Sequence, residues 1–331
     1  MKQLLFLFLF FSITGFSQDF TLVDATVKSY PMYTSPERLA TKIIQDFNDD
    51  ASKVRAAFKW LTNNIQYNLE EYHHPKIVHQ IEYSTYQYSS EKERLRKASA
   101  MKERIQKRAN DKIVRDAFLT RKGVCEEYVQ SFKKLADLLG IESEIIRGNV
   151  RNSINQIGKV PLGTNHAWNA LKINGRWAII DVTWASGYSL NNKWIQSFND
   201  YYFDMDSRKI GFTHYPSEER WQKILNSGAI VDFYNQPIFI ETLLEKNIEL
   251  LTPKKGVVTV KKKQKLTFKF KNLLPNHKLS FKYKGQSKNT VPTITYHQNI
   301  ATFSINSPKK DSELYFFLDN WLAMEYKIQV N

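Results

Sequence analysis

Cysteine is almost absent: Cys125 is the only one in 331 residues. A single thiol excludes an intramolecular disulfide framework and the paired-cysteine spacings of zinc fingers. Long apolar runs are scarce as well. Residues 4–11 are all Leu or Phe, far short of the ~20 residues that a bilayer-spanning helix needs. With Met1-Lys2 before the run and Gly15-Phe16-Ser17 after it, residues 1–17 are expected to be a secretory signal peptide. No cysteine follows the run to accept a lipid anchor. The expected location is therefore outside the cytoplasm, periplasmic or secreted, without a membrane span. The formal net charge is +15, from 48 Lys and Arg against 33 Asp and Glu. Such a balance suits acidic surfaces or acidic substrates. No helix-turn-helix, RNA-binding aromatic motif or zinc finger accompanies it, so nucleic acid is not an expected partner.

The lone thiol sits in Arg121-Lys122-Gly123-Val124-Cys125-Glu126-Glu127-Tyr128. From Cys125 onward, Tyr128, Phe132, Leu135 and Leu139 recur at helical spacing and stop at Gly140, the residue type that commonly closes a helix. Cys125 is thus expected to begin a helix, where unpaired amide donors and a partial positive charge favour a thiolate and can hold a developing oxyanion. Gly123 is expected to let the backbone turn tightly just before it.

Downstream, Asn165-His166-Ala167-Trp168-Asn169 supplies a histidine and Asp181-Val182-Thr183-Trp184 an aspartate. Residues 164–173 and 176–184 read as strands joined by Asn174-Gly175, the strongest short hairpin signal. A two-residue turn makes opposed positions sum to 349, so Trp168 faces Asp181 and His166 faces Thr183. His166 and Asp181 then become diagonal neighbours on one sheet face, about 7–8 Å apart. A Cys at a helix start and a His/Asp pair on one face point to nucleophilic catalysis: Cys125 attacks a carbonyl carbon, His166 moves the proton and Asp181 orients the imidazole.

Elsewhere, residues 18–44 read as an extended entry and a short helix. Val54, Ala57, Phe58, Leu61 and Ile65 mark a core helix over 52–67. His73, His74 and His79 lie close together, but an adjacent pair does not share a helix face, so no metal is expected. Residues 89–112 are dense in charge and read as a solvated helical insertion. A turn-rich loop follows Trp184, an aromatic stretch covers 194–203, and His214 is read as structural, preceding a short helix over 217–225. From about Val231 the pattern changes to roughly seven short alternating strands, as in an immunoglobulin-type sandwich. Lys261-Lys262-Lys263 is taken as a charged turn or edge.

The motifs Gly-Val-Cys, His-Ala-Trp-Asn and Asp-Val-Thr-Trp, in that order and on those elements, resemble the transglutaminase-like superfamily of cysteine enzymes, and within it exported bacterial proteins similar to kyphoscoliosis peptidase. The likeness covers 53–67, 121–148, 165–184 and, more loosely, 201–225. It implies an α+β fold with a papain-like, transglutaminase-like core, in which a helix bearing Cys packs on an antiparallel sheet bearing His and Asp, followed by a C-terminal β-sandwich. The expected parts are the signal peptide (1–17), the catalytic domain (18–230, with the charged insertion at about 83–112) and the sandwich (231–331). Cys125, His166 and Asp181 fall on the family's catalytic positions, and Trp168, Trp184 and Tyr128 are expected to line the substrate site. No cofactor and no metal are implied. Glu127 stands where the group usually has glycine, placing negative charge near the thiol and blunting its reactivity. The expected function is a thiol hydrolase, a protease or amidase acting on an acidic protein or peptide through an acyl-enzyme. The alternatives are a crosslinking acyltransferase and an inactive scaffold or adhesion protein whose C-terminal domain binds a partner.

Overall fold

The computed structural model describes residues 19–74 and 91–331. The expected signal peptide, His79 and the first part of the expected insertion lie outside the described residues.

The N-terminal region is more helical than its sequence suggests. Thr21–Lys28 and Pro36–Asp46 are both helices, the second starting with Pro36 at its first position, where the missing N–H costs nothing. Asp49 then caps Asp50–Asn64, its Oδ1 accepting the Ser52 N–H at 2.8 Å. The expected stripe of Val54, Ala57, Phe58, Leu61 and Ile65 is fully buried, and Trp60 stacks on Phe118 with ring centroids 5.2 Å apart. Buried Arg55 ties this helix to Asp24, with both hydrogen bonds at 2.7 Å, and to Asp200.

Glu91–Thr120 is one helix of 30 residues. From Leu95 to Arg104 the side chains are exposed, as expected for a solvated helix, but the helix continues unbroken and docks at its far end, where Val114, Ala117 and Phe118 are its buried apolar residues among those described. Arg121, at φ +60°, ends it, and Lys122–Gly123 pairs in parallel with Gln66–Tyr67. Cys125–Leu138 follows immediately. Gly140, at φ +74°, closes that helix, the Ile141 N–H reaching back to the Ala136 carbonyl at 2.9 Å, so the left-handed residue that ends the stripe is a glycine.

The buried face of the Cys125 helix packs on a four-stranded antiparallel sheet. Its order is Arg176–Ile180, His166–Ile173, Ser143–Val150 and His214–Pro216. Asn174 and Gly175 both have positive φ, and Ile173 pairs with Arg176, as the hairpin signal requires. Gly148 is where backbones approach most closely: a Cβ there would lie 2.2 Å from the Tyr215 carbonyl oxygen and 2.7 Å from the Trp168 ring. Phe132 is fully buried, 6.5 Å from the Phe58 ring. Phe132→Ala is therefore expected to cost about 3–5 kcal/mol, read as a lowered urea midpoint at unchanged slope.

Residues 230–244, at the expected start of the sandwich domain, form two short helices, Ile230–Asn235 and Glu241–Leu244, around the strand Ile238–Phe239. Beyond them lies a β-sandwich. One sheet runs Glu249–Thr252, Lys265–Lys271, Ile300–Asn306, Thr295–His297; the other runs Val257–Val260, Trp321–Val330, Ser312–Leu318, Leu279–Tyr283. Pairing is antiparallel except between Val257–Val260 and Trp321–Val330. Strict alternation decides the faces: Leu266, Phe268 and Phe270 enter the core while Lys265, Lys269 and Lys271 face out. Phe268, Phe303, Phe316 and Tyr326 interlock at the centre. Direct hydrogen bonds join the sandwich side to the core, among them Tyr202 Oη to Glu241 Oε2 at 3.0 Å and Arg151 Nη1 to the Gln236 carbonyl at 2.8 Å.

Candidate active site

Cys125 is the first residue of its helix and is partly exposed. That position leaves its amide without an intrahelical acceptor and aims the helix dipole at the thiol. Glu127 turns back on the start of its own helix. Its Oε2 accepts the Val124 N–H at 2.8 Å, capping the first turn, and burial pushes its carboxyl up. Glu127 thus caps the first turn of the cysteine helix. Gly123 is needed for the same reason rather than for a tight turn, since a Cβ there would fall 2.3 Å from the Glu127 Cβ. Glu126 turns the other way, into a bidentate pair with Arg147 at 2.7 and 2.9 Å.

His166 starts the second strand of the sheet and is buried. Its Nε2 lies 2.6 Å from Asp181 Oδ2, which leaves Nδ1 for the thiol. Burial opposes charging the imidazole, but the charge and hydrogen bond of Asp181, together with the adjoining Cys125, outweigh it and hold the ring well above its ordinary value. Burial likewise opposes charging Asp181, yet His166 and then His214 hold its carboxyl below the usual carboxylate range. The two therefore form a buried ion pair beside the sulfur.

The pair meets by a different route from the one the hairpin suggests. The register holds as far as Asn169 opposite Ile180. There the strand ends, and Asp181 becomes the N-cap of a short helix, Val182–Ser186, with Oδ1 accepting the Trp184 N–H at 3.0 Å. Trp168 therefore does not face Asp181, and His166 pairs with Gly148 rather than Thr183. Asp181 reaches the imidazole by leaving the sheet.

Of the expected substrate-lining residues, Trp184 is half-buried, 5.9 Å from the His166 ring. Trp168 and Tyr128 are fully buried. Tyr128 Oη donates to the Ile65 carbonyl at 2.6 Å, and Trp168 packs between His166 and His214 at 6.2 and 4.9 Å. Both act as core supports beneath the site.

Sequence reasoning missed three neighbours. Tyr67 stands beside the thiol, its hydroxyl pushed far up by burial first and then by the Cys125 charge. Its ring lies 5.4 Å from Trp194, whose buried indole N–H has no partner among the described residues. His214, read as structural, has Nε2 3.0 Å from the same Asp181 oxygen that serves His166. Its strand, His214–Pro216, is only three residues long, too short to show a period, and Tyr67 lies on a two-residue strand.

Ligand atoms of His166, Asp181 and His214 lie within 4.8 Å of one another. Two ligands held at 2.0–2.1 Å on one tetrahedral ion would be about 3.3 Å apart. The 2.6 Å between Nε2 and Oδ2 is a charge-assisted hydrogen-bond length instead.

With this geometry in place, comparison with known proteins shows what the chain is similar to. Residues 75–182 match the family model of the transglutaminase-like superfamily. That match covers about a third of the chain and supports its likeness to this superfamily. The kyphoscoliosis peptidase of Mus musculus is 22% identical over 325 residues, covering 94% of this chain and 43% of that protein. The kyphoscoliosis peptidase of Homo sapiens is 24% identical over 221 residues, covering 66% of this chain and 29% of that protein. The chain thus spans less than half the length of these relatives. A crystal structure of a TGase aligns over 58% of this chain and 40% of its own with 15% identity and a TM-score of 0.28, a likeness too distant to argue from. The transglutaminase-like superfamily comprises papain-like cysteine hydrolases and acyltransferases and is generally enzymatic. No helix among the described residues is long and apolar enough to cross a membrane.

Proposed function

We propose that the protein is a thiol hydrolase cleaving protein or peptide amide bonds, with Cys125 as nucleophile, His166 as general base and acid, and Asp181 as the residue that orients and charges the imidazole. The observation that carries this reading is the buried His166–Asp181 pair, 2.6 Å apart, beside a cysteine at the first position of a helix. The Cys125 sulfur adds to the amide carbonyl carbon, and the amide groups of the first helical turn receive the oxyanion. As the tetrahedral species collapses, the C–N bond breaks and His166 gives its proton to the departing amine. Water then adds to the thioester as His166 takes its proton, and the acid leaves as the sulfur is released. Leader-like residues 1–17 support an extracytoplasmic substrate, and the outward lysines of Lys265–Lys271 support an acidic partner for the sandwich.

Hydrolysis and crosslinking share the thioester and differ in what resolves it. Incubation with peptide pools and a labelled primary amine separates them. The hydrolase reading expects new peptide termini without stable label. Labelled peptide as the main product would make the protein an acyltransferase. Neither product, together with identical behaviour of Cys125→Ala, would leave only the scaffold.

A further inference from the structure

Resting on the Cys125–His166–Asp181 reading, we infer that His214 is a positioning residue of this site: it donates its Nε2–H to Asp181 Oδ2 and so fixes the carboxylate against which His166 is aimed.

The hydrogen-bond inventory around Asp181 carries the inference. Three donors reach one fully buried carboxylate: the Trp184 N–H on Oδ1 at 3.0 Å, and the Nε2 atoms of His166 and His214 on Oδ2 at 2.6 and 3.0 Å. An ionised carboxylate only accepts, so both histidines present an N–H to it. For His214 this sets the tautomer. In the neutral ring with its proton on Nε2, Nδ1 is left to accept from the Thr213 hydroxyl 2.8 Å away, a shorter contact for that hydroxyl than the Ile210 carbonyl at 3.4 Å. The ring is gripped at both ends, and it is walled by Trp168 at 4.9 Å, Trp184 at 5.0 Å and Tyr202 at 6.5 Å.

One buried carboxylate does not balance two imidazolium ions. Asp181 and His166 are the charged or titrating groups facing His214, and the Tyr202 hydroxyl on the far side is occupied by Glu241 at 3.0 Å. Burial and the neighbouring His166 charge keep His214 below its ordinary value despite Asp181, whereas His166 has both Asp181 and Cys125 to favour its charge. The two histidines bonded to one oxygen thus divide the work: His166 carries the mobile proton, and His214 is a permanently neutral donor. Without it, Oδ2 is held by His166 alone, and the Trp184 N–H on Oδ1 is the one remaining bond that fixes the carboxylate independently of the imidazole it aims.

The test has a spectroscopic arm and a kinetic arm. In protein labelled with 15N-histidine, long-range 1H–15N correlation between pH 5 and 9 is expected to show His214 neutral throughout, with the proton on Nε2. A proton on Nδ1, or a doubly protonated His214 at neutral pH, would overturn the inference whether or not the protein is an enzyme. His214→Phe keeps a planar ring between the tryptophans but deletes the donor. It is expected to lower kcat about tenfold with KM within about twofold, a part of what positioned acid–base catalysis supplies. His214→Gln restores an N–H donor and is expected to recover most of the loss. Unimpaired turnover in folded His214→Phe would mean that the ring only fills space, and equal loss in both folded variants would rule out the N–H donor as the cause. If the unmodified protein turns over no acyl substrate, the hydrolase reading fails, while the ring nitrogens still report on His214.

Discussion

Cys125→Ala is expected to abolish turnover, by a factor on the order of 10^4 or more, while leaving the fold intact. The size follows from chemistry: without the sulfur no thioester forms, and the His166–Asp181 pair has no nucleophile to serve. The intact fold follows from position. Cys125 is partly exposed at the first turn of its helix, and the burial that holds that helix comes from Tyr128, Phe132 and Leu135 further along. Steady-state hydrolysis and far-ultraviolet circular dichroism read the two halves of the expectation separately. Retained hydrolysis in the alanine variant would move the chemistry to another residue.

Asp181→Asn is expected to damage both activity and stability. An asparagine at this site presents an N–H2 or a carbonyl to two histidine donors that were both satisfied by one oxygen, so at least one hydrogen bond becomes a repulsive contact. The analogous loss of imidazole orientation in other triads lowers kcat by about 10^4. Breaking one partner of a buried ion pair costs about 3–5 kcal/mol, and denaturant titration at pH 7 reads it. The pH dependence fixes the sign. Asp181 is held below the ordinary carboxylate range when folded, so its stabilisation is complete above that range and is lost progressively as pH falls from there through the depressed folded value. His166 is raised, so its share is complete below the ordinary imidazole value and is lost as alkaline pH passes the raised one. The unmodified protein should therefore lose stability toward both extremes, and Asp181→Asn should flatten both limbs. An unchanged acid limb would show that other carboxylates control acid unfolding.

The legible parts of the fold are those written in periodicity. Val54, Ala57, Phe58, Leu61 and Ile65 face the core because a helix of 3.6 residues per turn puts them on one side, and Lys265–Lys271 alternates because a strand has period two. Gly140 and Asn174-Gly175 were readable because their backbone angles suit glycine and asparagine. The strand expected through Trp184 failed because Val182 and Thr183 are β-branched, while Asp181 is also a helix cap. Capping prevailed, because a buried aspartate whose side chain accepts the Trp184 N–H satisfies a polar group that the strand would leave to chance. Local chemistry likewise decided Glu127, which caps its own helix. His214 was illegible for another reason. Its meaning comes from a carboxylate 33 residues away, and no spacing within one element encodes that contact. Trp168 and Tyr128 were assigned to the substrate by their nearness to the motifs, whereas Tyr128 lies on the buried stripe of its helix and Trp168 on a strand buried on both faces.

The most direct test of the central claim is intact-mass and peptide-mapping analysis after brief exposure to an activated acyl ester. A single acyl group on Cys125, formed far more slowly in His166→Ala and cleared by water over time, is the predicted result. Acylation spread over surface lysines with Cys125 unmodified, or labelling of Cys125 at the same rate with and without His166, would contradict it.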